Sequence, residues 1–122
     1  MEQAVQHELI SFIYHKMLST YPELRERYSL QSLQHIKQDI EHHLEYLLSA
    51  GMIHMDSIFL DYVDWVNRVL TARGIETYYL VDCFKWMGMY LSDCNKEGHY
   101  TYSISLLHKA VWNLSSIQTL ER

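Results

Sequence analysis

Helix breakers are scarce in this chain: one proline and four glycines among 122 residues. Apolar residues recur at helical spacing almost from end to end, and that pattern predicts an all-α protein of about five main helices joined by short loops. The first is read over residues 2–19, with Val5, Leu9, Phe12, Ile13 and Met17 inside. Pro22 and Glu23 suit the first turn of a short piece reaching Tyr28. The second main helix, residues 30–50, turns Leu33, Ile36, Ile40, Leu44 and Leu47 to the core. It turns Gln31, Gln34, Gln38, Glu41 and Glu45 to water, and Gly51 is its expected stop. Asp56 is the expected N-cap of the third, which ends at Gly74. The wet line of that helix is Ser57, Asp61, Asp64 and Arg68, and Asp64 and Arg68 stand in the favourable order for an ion pair.

The last two helices, residues 76–94 and 100–120, have a different pattern. In the earlier one Asp82, Lys85, Ser92 and Asp93 are clearly polar, and Met89 interrupts their line. In the later one Tyr100, Ile104, Leu107, Val111 and Leu114 form one apolar ridge, and Leu106, Ala110, Ile117 and Leu120 form a second. Trp112 falls on the polar side among Ser105, His108 and Ser116. A helix apolar on more than one face has more than one surface to bury. Met89, Tyr90, Leu106, Ala110 and Trp112 are therefore the candidate contacts of a homodimer.

Length and composition bound the function. A chain of 122 residues fits one domain, and 48% hydrophobic residues suffice for a core. No apolar run approaches the ~20 residues of a membrane span. Met1-Glu2-Gln3 lacks the basic, apolar start of a signal peptide, so a cytoplasmic location is expected. A net charge of −5 without a Lys/Arg cluster argues against nucleic acid. Cys83 and Cys94 suit a reducing compartment. On one helix they would stand roughly 16 Å apart along the axis, too far for a disulfide.

Catalytic signatures are missing. There is no Gly-x-Ser-x-Gly, no phosphate-binding glycine loop and no paired Glu-x-x-His. His35, Asp39 and His43 could share a helix face and line one metal. The preferred reading makes His35 and His42 solvated and His43 a core histidine. Haem needs an axial ligand, and residues 56–73 hold no histidine, cysteine or methionine; His54 and His99 fall in loops. No enzyme, metal or haem is expected. A binding pocket is: Ile36, Ile40, His43, Tyr46, Leu47, Phe59, Tyr62, Trp65 and Val66 would combine apolar walls with a few polar tips.

Two stretches carry a family likeness. Tyr21-Pro22-Glu23-Leu24-Arg25-Glu26-Arg27-Tyr28 leads into Asp39-Ile40-Glu41-His42-His43-Leu44-Glu45-Tyr46-Leu47. Phe59-Leu60-Asp61-Tyr62-Val63-Asp64-Trp65 is followed by Leu70-Thr71-Ala72-Arg73-Gly74-Ile75. The pattern, over roughly residues 21–75, resembles the haem-less globin-like sensor domains of bacteria. In bacilli these head sporulation sensor kinases or occur as free-standing small proteins. The resemblance implies a globin-like fold without haem and a homodimer through the last two helices. It also implies an apolar tunnel for a fatty acid, with a chloride or similar anion in or beside it. It carries the histidine and tyrosine of the family element onto His43 and Tyr46, and the aromatic element onto Phe59, Tyr62 and Trp65. No kinase domain follows before Arg122, so the implied role is competition for the signal of a sporulation sensor kinase. The alternative is a helical dimer that blocks a partner without a ligand.

Overall fold

The computed structural model describes residues 1–27 and 30–120. Among the described residues the chain is all-α and contains no strand. Its elements are α1 (Gln3–Thr20), α2 (Glu23–Arg27), α3 (Leu30–Ile53), α4 (Asp56–Ala72), α5 (Thr77–Asp93), a 3-10 turn (Lys96–Gly98) and α6 (Thr101–Leu120). No helix among the described residues is long and apolar enough to cross a membrane. The chain forms two compact units, residues 1–45 and 46–122.

In the first unit, α1 buries Leu9, Ile10, Ile13, Met17 and Leu18. Phe12, expected inside, is 45% exposed. It lies roughly 100° round the helix from the centre of the Leu9–Ile13–Met17 stripe, beyond the face that packs. The Tyr21 N–H donates to the Met17 carbonyl at 2.9 Å and ends α1. Pro22, with no N–H to satisfy, occupies the turn that opens α2. The expected continuation of this piece to Tyr28 lies outside the described residues, as does the side chain of Leu120.

In the second unit α5 and α6 form the most extensive pairing, and α4 packs on both. Their shared core holds Phe59, Val63, Phe84, Met87, Leu91, Leu106, Leu107 and Leu114, all essentially without solvent exposure. The Phe59 and Phe84 rings meet edge to face, with centroids 5.4 Å apart. That is the arrangement favoured by opposed ring quadrupoles. A buried polar bridge, from the Thr77 hydroxyl to the Asn67 amide oxygen at 2.9 Å, ties the start of α5 to the end of α4.

Two helix ends separate expectation from outcome. Gly74 stops α4 as expected, with φ of 82°. The Ile75 N–H reaches the Leu70 carbonyl at 2.9 Å and the Gly74 N–H reaches Thr71 at 3.0 Å. This is a Schellman closure, which needs a left-handed residue at that position. Gly51, by contrast, does not end α3. The helix runs on to Ile53, and His54 takes the left-handed position with φ of 50°. The Met55 N–H closes that turn on the Ala50 carbonyl at 3.1 Å. The reason for Gly51 lies in packing. A Cβ there would stand 3.3 Å from the Ser103 hydroxyl of α6, so glycine lets the two helices approach.

Candidate functional site

Three neighbourhoods carry the chemistry-bearing residues. The first is His43 on α3. It is buried beside Ile40 and Leu44 of the same helix. Burial, reinforced by the neighbouring His42, pushes its pKa down to about 3, so the ring stays neutral at ordinary pH. His35 and His42 are exposed, in agreement with the solvated reading, and Asp39 is half-buried. Among the described residues no group of three His, Cys, Asp or Glu side chains is placed to hold a metal ion. Cys83 is buried and Cys94 half-buried, and neither is in a disulfide.

The second neighbourhood is an aromatic run within residues 46–122. Phe84 touches Phe59; Phe59 and Tyr62 lie 6.4 Å apart between centroids. The Tyr62 ring is then covered by Tyr46, stacked at 4.0 Å and 11°. Trp65 follows at 6.3 Å from Tyr62. The run goes from core to surface: Phe59, Tyr62, Val66 and Leu47 are buried, whereas Tyr46 and Trp65 are 44% and 54% exposed. The spacing of these residues was legible in the sequence, and their sorting by depth was not. Ile36 is half-buried and Ile40 buried.

The third is a polar network that the sequence pattern hid. Asp56 was expected to cap α4, but the N-cap position falls to Met55 and no side chain caps the helix. The Asp56 carboxylate turns instead to α6. One oxygen accepts from the Tyr102 hydroxyl, and the other from Lys109 Nζ at 2.6 Å. The hydrogen bonds from Lys109 and Tyr102 hold the Asp56 carboxyl below the usual carboxylate range. The same contact pushes Tyr102 up to about 12. The left-handed His54 lays its ring against Tyr102, with centroids 4.5 Å apart. Tyr102 and Lys109 stand seven apart on α6, which puts them on one face. That spacing is the single sequence signal of the network, and it does not name Asp56 as their partner.

The α5–α6 face holds the remaining sequence candidates. Leu106 and Ala110 are fully buried by the chain itself and Tyr90 is half-buried. Met89 and Trp112 are 64% and 75% exposed. They flank a groove of about 640 Å³ lined also by Lys85, Gly88, Ser92, Asp93, His108, Val111 and Ser115. On α4 the wet line is exposed as expected, but Asp64 and Arg68 form no ion pair among the described residues. Comparison with protein-family models, curated proteins and solved structures yields no match.

Proposed function

We propose that this chain is a non-catalytic, globin-like sensing module that acts as a homodimer through α5 and α6. The observation that carries the reading is the groove between those helices, flanked by Met89 and Trp112. Two large apolar side chains left in water on an otherwise polar face are a cost that association removes. Fully burying each is worth ~1.5–3 kcal/mol, and a two-fold axis doubles the number buried. The ligand comes from the family resemblance. It is a fatty acid in the apolar tunnel that the resemblance implies, with chloride as its companion. A neutral His43 suits a head-group partner, because it can donate one hydrogen bond without a buried charge. Competition for the signal of a sporulation sensor kinase is the regulatory role that follows.

The same groove also favours a second reading, in which the dimer blocks a partner and has no ligand. Both readings need the interface. Light scattering at micromolar concentration should give twice the chain mass of 14.6 kDa. Met89→Glu with Trp112→Glu should shift the population to monomer with the helical circular dichroism unchanged. A monomeric wild-type protein would remove the interface from both readings.

A further inference from the structure

Tyr46 and Trp65 are exposed aromatic side chains outside both the core and the α5–α6 groove. Tyr46 lies flat on Tyr62, so the Tyr62 ring sets its plane. Trp65 stands on the next turn of α4 from Tyr62. Both outer rings keep about half their surface in water. The faces of such rings carry the negative end of the quadrupole. Asp61, four residues before Trp65, shares its side of the helix. Asp61 and Asp64 are exposed and make no ion pair among the described residues. Arg68, the nearest cation along α4, pairs with neither. Ring faces and a carboxylate that makes no ion pair among the described residues thus select for the same ligand charge.

We propose that the Tyr46–Trp65 face, with Asp61 beside it, is a docking surface for an arginine-bearing segment of a partner protein. A guanidinium plane stacks on an indole or phenol face while its N–H groups reach a carboxylate, which a lysine ammonium does less well. Rings that are half-exposed fit one side chain of a larger partner better than an enveloped small cation. The surface shares no residue with the lining of the α5–α6 groove.

The test uses a fluorescein-labelled peptide of alternating arginine and glycine, and a control in which glutamine replaces arginine. Anisotropy gives affinity, and amide chemical shifts of the full chain give location. The expected result is shifts centred on Tyr46, Asp61 and Trp65, and no binding of the glutamine peptide. Trp65→Ala should weaken binding about two- to fivefold, and Trp65→Phe should restore part of the loss. Asp61→Asn should weaken it more than Glu97→Gln, an acid removed from the 3-10 turn. The proposal is overturned if Trp65→Ala binds as wild type, if the glutamine peptide binds equally, or if the shifts map to another face. Equal losses from Asp61→Asn and Glu97→Gln would also overturn it, because they would show attraction to net charge alone.

Discussion

Phe84→Ala should cost about 3–5 kcal/mol of stability, the range for removing a fully buried aromatic side chain. Phe84 has no solvent exposure and sits on α5, with its ring edge to face against Phe59 of α4. Truncation leaves a void that helices fixed by their neighbouring contacts fill incompletely. Phe84→Leu keeps most of the volume and should cost well under half as much. Urea unfolding of both variants measures this directly, and the melting temperature of Phe84→Ala should fall by on the order of 10–20 °C. A loss under about 1 kcal/mol would mean that the ring is not a structural centre of residues 46–122.

Mild acid should destabilise the protein well before its carboxylates titrate. His43 has a folded pKa of about 3, below the 6.5 of a free histidine. Between those values the unfolded chain binds a proton that the folded chain refuses. The stability this group contributes is therefore present above pH 6.5 and is lost as pH falls toward 3. The slope is at most about 1.4 kcal/mol per pH unit, and the whole interval amounts to on the order of 5 kcal/mol. Asp56 acts in the same direction but later. Its depressed pKa supports the fold above the ordinary carboxylate range, and that support is lost only when the carboxylate protonates. His43→Leu should flatten the stability profile between pH 6.5 and 4.5 and leave the steeper loss below pH 4 in place. An unchanged profile in that variant would assign the acid sensitivity to another group.

The helices and the exposed Trp112 were legible because both follow from local pattern. Periodicity places the α4 and α5 faces, and Trp112 is out of place among Ser105, His108 and Ser116. Local pattern failed where a distant residue decided the outcome. Asp56 has the chemistry of an N-cap, yet Tyr102 and Lys109, 46 and 53 residues away, take its carboxylate. Gly51 resembles a helix stop, yet the backbone accepts the strain at His54 and keeps Gly51 as a packing gap against Ser103. Phe12 follows the period loosely and falls off the packed stripe. The depth ordering of Phe59, Tyr62 and Trp65 is set by which neighbours arrive from α3 and α5, and no spacing rule encodes that.

Sensing requires a ligand that the folded protein prefers, and such a ligand stabilises the fold in proportion to its occupancy. Mass spectrometry of an organic extract of the purified protein is the most direct test, paired with thermal melts of delipidated protein across fatty acids of increasing chain length. A fatty acid near one per chain in the extract, and a melting temperature that rises on adding it back with a chain-length optimum, is the predicted result. A well-folded protein whose extract holds no lipid, and whose melting temperature and binding heat stay flat at every chain length, would contradict the sensing account and leave the ligand-free dimer in its place.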